Sequence, residues 1–357
     1  MRKSWVIFIS LVTVLFLTAC LVVSSLPETQ EINFSDNEYY KDLQISQLGY
    51  GIISVFANDF PEPMEKVPTS VVSFVACGDN LVHSTVYSDA KTLAQGTTKE
   101  YNFLPMYENV LDIIEGADIA FINQETPFGG PSRPISGYPL FNTPDQVGYD
   151  IAELGFDVVG LANNHMLDST SAGYERTIEF WDNIDDVLGV GGYKNKEDYE
   201  NIRILEKNGI KIAFLAYTYG TNGLSLPASS ELVIPMYNDE DIDRQTKKAR
   251  EIADCVIVSI HWGNEDAFSP NAEQKRKAQI MIDNGVSIEN AYFIPTMCHY
   301  NYSVREFKIY RFSEYSEELE KVHGAHKFDS AMSMRYMRNI IDDAIPQEFL
   351  TEEFYKE

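Results

Sequence analysis

The sequence predicts an α/β fold in which helices flank a mainly parallel β-sheet. Short apolar, β-branched runs of buried-strand length alternate with amphipathic stretches of helical length, which is the pattern of crossover units around such a sheet. The chain has 357 residues, enough to bury a large apolar core. We therefore expect one large domain with appendages at its ends.

The elements of this sheet can be placed in order along the chain. Strands are predicted at Val71–Cys77, Asp118–Ile122, Asp157–Leu161 and Cys255–Ile260, and the last three follow predicted helices at Pro105–Glu115, Pro144–Leu154 and Ile242–Ala253. A hairpin interrupts the series, because Ile202–Glu206 and Ile210–Tyr217 flank Asn208-Gly209, a pair that readily adopts positive φ angles. A further helix is predicted at Ala272–Asn284, before Gly285.

The chain begins with the features of a secretory signal. Arg2 and Lys3 precede an apolar run from Trp5 to Leu17, and Leu17-Thr18-Ala19-Cys20 follows in the manner of a lipobox. In such signals the cysteine becomes the lipidated first residue of the mature protein. We expect residues 1–19 to be a signal peptide and Cys20 to be lipidated, with an uncleaved anchor helix as the alternative. Both interpretations place the body on the extracytoplasmic face of the cell membrane.

The remaining boundaries follow from composition. Residues 20–69 are polar and acidic and contain Pro27, Pro61, Pro63 and Pro68, which predicts a spacer with at most a short helix. The main domain is expected at 70–286. Residues 287–357 are expected to form a C-terminal extension that is partly helical, around Ser330–Asp343.

The formal net charge of −26 restricts the possible partners of the protein. A strongly acidic body repels nucleic acid and anionic lipid surfaces, so neither is expected as the main partner. Cations are expected instead.

Polar side chains follow four of the predicted strands. Asp79 with Asn80, Asn123 to Glu125, Asn163 to His165, and His261 stand at these ends, and His83 lies close behind the first. Because loops converge past the carboxyl ends of strands in an open α/β sheet, we expect Asp79, Glu125, Asn164 and His261 to meet at one rim. Two nearby carboxylates repel unless a cation separates them. Mixed oxygen and nitrogen donors favour Mn²⁺, Fe²⁺ or Zn²⁺ over Ca²⁺ or Mg²⁺.

These motifs carry a family resemblance. Gly78-Asp79-Asn80, Asn123-Gln124-Glu125, Leu161 to His165 and His261-Trp262-Gly263 occur in the order and spacing of CapA-type proteins, which are linked to capsule and poly-γ-glutamate synthesis. The chain resembles that family over roughly residues 71–285. The resemblance implies a metallophosphatase-like, calcineurin-like layered sheet with flanking helices.

The same resemblance implies roles for individual residues. Asp79 and His261 would be metal ligands, Glu125 the carboxylate in the bridging position and Asn164 an amide ligand. His165 would be the catalytic acid near the leaving group. His83 has two interpretations, as a metal-site residue or as a residue that hydrogen-bonds only within its loop.

The sequence departs from the family after Gly285. CapA-type proteins continue with a strand that ends in Gly-X-His-Pro-His or a similar His-X-His segment, whereas the remaining histidines here are His299, His323 and His326. The expected consequence is a fold whose C-terminal part is truncated and a metal site that binds at most one divalent cation.

Two functions remain open at this stage. One is a metal-dependent phosphoesterase-like hydrolase that acts during assembly of an anionic surface polymer. The other is an accessory lipoprotein that serves the synthesis or export machinery of that polymer by contacts or cation bridges, with degenerate activity or none. The missing His-X-His segment favours the second.

Overall fold

A computed structural model describes residues 43–48, 52–57, 70–264, 270–286, 296–301 and 306–311. The chain divides into two compact units, 1–69 and 70–357. In the first unit, strands β1 (Leu43–Leu48) and β2 (Ile52–Ala57) pair in antiparallel fashion. This part of the predicted spacer therefore contains a hairpin that was not predicted, and a short segment with two glycines, Gly49 and Gly51, separates its strands. The predicted signal and Cys20 lie outside the described residues.

The second unit contains the predicted parallel sheet. Its order is β3 (Phe74–Asn80), β4 (Ile119–Gln124), β5 (Val158–Gly160) and β6 (Leu188–Val190), and all three pairings are parallel. The first strand begins and ends three residues later than predicted. It continues into polar residues because its end still pairs with β4, where the Asn80 amide donates to Gln124 Oε1 at 2.7 Å. The short β6 was not predicted.

A second sheet contains three strands, β7 (Arg203–Lys207), β8 (Ile210–Thr218) and β9 (Cys255–His261). The first two form the predicted antiparallel hairpin, and Asn208 and Gly209 have φ angles of 53° and 79°. Strand β9 then pairs parallel to β8.

The two sheets face each other, and helices cover their outer faces. Alternate residues of β4 divide between two apolar clusters, since Ile119 and Phe121 pack toward β8 whereas Ala120 and Ile122 pack toward the outer helices. Strand β8 alternates in the same way, with Phe214 facing the first sheet. This period of two is what the pleat of a strand imposes. The predicted α/β architecture with a parallel sheet and flanking helices is confirmed, and its layers fit the metallophosphatase-like fold that the resemblance implies.

The α-helices among the described residues are α1 (Ser84–Leu93), α2 (Leu111–Glu115), α3 (Gln146–Glu153), α4 (Thr170–Asp182), α5 (Lys196–Glu200), α6 (Asp239–Ile252) and α7 (Ala272–Asp283). The predicted helix at 105–115 is divided into a 3₁₀ turn, Leu104–Tyr107, and α2. The acidic run from Asn238 opens α6 as a capped helix, because the Asn238 side chain accepts from the Asp241 amide at 2.9 Å.

After α7 the described chain resumes as an antiparallel pair, β10 (Thr296–Asn301) and β11 (Glu306–Arg311). The expected extension thus contains β-structure, and Ile309 packs against the cluster under the first sheet. The predicted helix near residues 330–343 and the segment that follows Val286 lie outside the described residues. Within the described ranges, every helix is too short or too polar to cross a bilayer.

Candidate metal centre

Three strand ends bring ionisable side chains to one edge of the molecule. Asp79 stands at the end of β3, just past an irregularity between Cys77 and Asp79; Glu125 directly follows β4, and His261 is the last residue of β9. One ligand atom from each of these three residues lies within 4.8 Å of the other two. The predicted meeting of Asp79, Glu125 and His261 is therefore found in the structure, whereas their roles remain a prediction.

Short polar contacts hold the three side chains in place. Asp79 Oδ1 accepts from Asn123 Nδ2 at 2.6 Å and lies 3.5 Å from His261 Nδ1, while His261 Nε2 lies 3.6 Å from Glu125 Oε1. The Tyr219 ring stacks on the His261 imidazole, with ring centroids 5.9 Å apart and an angle of 16° between the ring planes. The imidazole is thus fixed between two carboxylates.

Burial and charge shift the protonation of these groups in different directions. Desolvation, reinforced by the charge of Asp79, raises the pKa of Glu125 to about 7. Desolvation also acts to raise the pKa of Asp79, but the contacts with His261 and Asn123 outweigh it and lower that pKa. Desolvation acts to lower the pKa of His261, yet the two carboxylates outweigh it and raise it. In the metal-free protein, protons therefore provide the positive charge that this cluster needs.

The donor set and its spacing fit one divalent cation. Ligand atoms on an ion with bonds of about 2.2 Å are at most about 4.4 Å apart. The three atoms here lie within 4.8 Å of one another, so they need to move by only a few tenths of an ångström to share one ion. Two carboxylates and one imidazole suit Mn²⁺, Fe²⁺ or Zn²⁺. An ion would also replace the protons that balance the two carboxylates. Among the described residues, this is the group of acidic, histidine and cysteine side chains with metal-ligand spacing.

Asn164 stands in the loop after β5, directly before His165, whose ring adjoins Glu125. Its Oδ1 is buried and has no hydrogen-bond partner among the described residues, while its Nδ2 donates to Asn222 Oδ1 at 3.2 Å. A buried acceptor without a donor is costly unless something else satisfies it. The free oxygen is the atom of Asn164 that a cation would require, and its role as a ligand stays a prediction.

His165, the predicted acid, lies between Glu125 and the buried carboxylate of Asp168. Its Nε2 lies 3.9 Å from Glu125 Oε1, and its Nδ1 lies 2.7 Å from Oδ2 of Asp168, which is fully buried and also accepts from the Phe141 amide at 2.9 Å. Because the Asp168 carboxylate accepts at Nδ1, it fixes the ring and directs Nε2 to the cluster. This arrangement suits a general acid or base.

His83, Trp262 and the two strand cysteines lie outside the group of three. His83 precedes α1 and packs edge-on against Phe141, with ring centroids 5.2 Å apart, outside the group of three. Trp262 packs against the cluster behind β8. Cys77 and Cys255 are free and half-buried in strands, and burial raises the pKa of the Cys77 thiol to about 11.

Three residues of this centre were not identified from the sequence. Asp168 follows His165 by three positions, and this spacing could have suggested a histidine–carboxylate pair. Tyr219 and Asn222 come from the loop after β8, a strand that the sequence predicts only as part of a hairpin. No local motif marks that loop as part of the site.

We expect cation affinity to rise with pH through neutrality. Glu125, with a pKa of about 7, is mostly protonated below that pH, and His261 also holds its proton more strongly than usual. Each proton must leave before its atom can bind a metal, so each displaced proton lowers affinity by about tenfold per pH unit below the pKa. Mn²⁺ titrations at several pH values measure the change in affinity. Calorimetry in buffers of different ionisation heat gives the number of protons that the metal displaces. An affinity that does not change with pH would contradict it.

Comparison with known families decides the relationship of this domain. A family model described as "Bacterial capsule synthesis protein PGA_cap" matches residues 73–288, which include all of the site residues described above. The chain belongs to this family. The CapA-type resemblance inferred from four strand-end motifs is thereby confirmed.

Two curated relatives agree with this assignment. The capsule biosynthesis protein CapA of Bacillus anthracis is 30% identical over 166 residues, covering 45% of this chain and 38% of that protein. The PGA biosynthesis protein CapA of Bacillus subtilis strain 168 is 32% identical over 149 residues, covering 39% of this chain and 36% of that protein. The matched region is thus less than two fifths of either relative.

A solved structure of a candidate 5′-nucleotidase from Staphylococcus aureus aligns over 76% of this chain and 58% of its own, at 11% identity and a TM-score of 0.36. A likeness at that score supports no inference about activity.

Proposed function

We propose that this PGA_cap domain binds one divalent cation between Asp79, Glu125 and His261 and serves the synthesis or export of capsule or poly-γ-glutamate. The observation that carries this proposal is the convergence of these three donors within 4.8 Å, at the carboxyl ends of three strands. Membership of the capsule synthesis family supports a role in capsule or poly-γ-glutamate synthesis. The location is the extracytoplasmic face of the cell membrane, with a lipid anchor at Cys20.

The proposed partner is an anionic surface polymer or the machinery that makes and exports it. A body with a net charge of −26 repels such a polymer, so contact between them needs bound cations or an intermediate protein. A cation held at the surface by partly exposed Asp79 would provide one such bridge. Nucleic acid is excluded from the proposal by the same charge.

We expect replacement of Cys20 by Ser to release the protein from the membrane. The short apolar segment before Cys20 fits a cleaved lipoprotein signal, and the attached lipid would be the anchor. Membrane fractionation and intact-mass analysis measure the change, and Cys77→Ser serves as a control because Cys77 is half-buried in β3. A Cys20→Ser protein that stays in the membrane with unchanged mass would favour an uncleaved helix.

We propose that hydrolytic activity is degenerate. A dinuclear centre holds two metals about 3.5–4 Å apart and needs donors for both. The sequence has no His-X-His segment after Gly285 to provide ligands for the second metal. Asp79, Glu125, His261 and the Asn164 oxygen suffice for one cation.

A second candidate is an active metal-dependent phosphoesterase. The observation that favours it is the pair of His165 and Asp168, in which a buried carboxylate orients an imidazole toward Glu125. His165, in its doubly protonated form, would donate the Nε2 proton to the leaving oxygen and become neutral, while Asp168 would keep accepting the Nδ1 proton and so hold the ring in place. A bound cation would supply charge stabilisation and a more acidic water.

One experiment separates the two candidates. The protein without its signal is loaded with Mn²⁺ or Zn²⁺, and metal content and turnover of a generic phosphodiester are measured beside Asp79→Ala. We expect one metal per chain and turnover near that of Asp79→Ala. Two tightly bound metals with Asp79-dependent turnover would establish the phosphoesterase instead. Absence of any bound metal would contradict both.

A further inference from the structure

We propose that Asn222 is a positioning residue that orients the Asn164 side chain, so that the Asn164 oxygen and not its nitrogen is presented to the cation. This inference rests on the proposed cation site and adds a residue from a loop that no strand-end motif marks. Asn222 itself contributes no ligand atom.

The contacts of the two amides support this role. Asn164 Nδ2 donates to Asn222 Oδ1 at 3.2 Å, and Asn164 Oδ1 is left buried without a partner among the described residues. An asparagine amide has a donor end and an acceptor end, and only the oxygen can bind a metal. By accepting at the nitrogen, Asn222 opposes the inverted orientation, in which two oxygens would face each other. The unsatisfied oxygen is the expected feature of a ligand held ready for its ion.

Asn222 is well suited to hold this position. Its φ angle is 51°, in the left-handed region that asparagine tolerates better than most residues. Its own amide nitrogen lies 3.4 Å from His165 Nδ1, so the side chain reaches both the predicted ligand and the predicted acid.

The loop that carries Asn222 is itself tied to the metal centre. Before Asn222, the Tyr219 amide donates to the His261 carbonyl at 3.0 Å, and the Tyr219 ring stacks on the His261 imidazole. Around Asn222 itself, the hydroxyl of the preceding Thr221 donates to the Leu224 carbonyl at 2.6 Å. The loop is therefore braced before and across Asn222, and movement of its backbone would also disturb His261.

The test compares Mn²⁺ affinity among four proteins, using the loss of the free-ion signal in electron paramagnetic resonance. Asn222→Gly removes the acceptor but keeps the left-handed backbone, and Asn222→Asp keeps an acceptor oxygen. Asn208→Gly is the matched control, because Asn208 has a φ of 53° in the β7–β8 turn. Thermal unfolding of each metal-free protein is measured in parallel.

We expect Asn222→Gly to weaken Mn²⁺ binding by about 10- to 100-fold, the usual effect of losing a residue that orients a ligand. Asn222→Asp should restore most of the affinity, and Asn208→Gly should bind as wild type. The inference is overturned if Asn222→Gly binds Mn²⁺ as tightly as wild type, or if its affinity falls only in proportion to a loss of folded protein. If the wild-type protein binds no Mn²⁺, the proposed cation site itself is wrong.

Discussion

Replacing Asp79 by Asn is expected to weaken Mn²⁺ binding by at least about 100-fold, because it removes one of three charged donors and the charge that draws the cation. The Asp79 side chain is 49% exposed, and its replacement leaves an isosteric group that Asn123 can still contact. The fold should therefore be unaffected. Isothermal calorimetry of the metal-free protein gives the affinity directly.

The control for this variant is Asp186→Asn. Asp186 is exposed and lies in a turn with a φ of 63°. Its replacement by Asn makes the same chemical change away from the site. It should bind Mn²⁺ as wild type. Equal affinities for the Asp79 and Asp186 variants would show that the cation, if bound, is held elsewhere.

Replacing Trp181 by Ala is expected to lower the free energy of unfolding by about 3–5 kcal/mol, the range for truncating a large buried aromatic residue. Trp181 is 1% exposed on α4, and its ring lies 5.7 Å from that of Phe128 and 5.3 Å from that of Phe180. Removing it leaves a cavity beneath the parallel sheet. Chemical denaturation of the body without its signal measures the loss.

Two further variants make this result specific. Trp181→Phe keeps an aromatic ring and removes an indole N–H that has no partner among the described residues, so it should cost less than Ala. Tyr138→Ala, at a side chain 74% exposed, should change stability by no more than about 0.5 kcal/mol. Similar losses for Trp181→Ala and Tyr138→Ala would contradict the assignment of Trp181 to the core.

The sequence was most informative where local chemistry and periodicity agree. The β7–β8 hairpin was predictable because Asn208-Gly209 prefers the positive φ angles that its turn requires. Asp79, Glu125 and His261 could be grouped because polar residues at the ends of apolar strand runs must meet where parallel strands end.

The features that were missed depend on contacts between distant segments. Strand β6 is only three residues long and is recognisable as a strand through its pairing with β5. Asn222 reaches Asn164 from a position 58 residues away, through the packing of one sheet against the other. Asp168 acts by pointing inward to His165, and sequence spacing alone does not distinguish that orientation from a solvated carboxylate.

Anomalous diffraction from crystals soaked in Mn²⁺ shows directly whether a cation binds between Asp79, Glu125 and His261. We expect one anomalous peak per chain, within bonding distance of an oxygen of each carboxylate and a nitrogen of the imidazole. The same map would show which atom of Asn164 faces the ion. A map without a peak at these three side chains, at Mn²⁺ concentrations that saturate binding in solution, would contradict the claim.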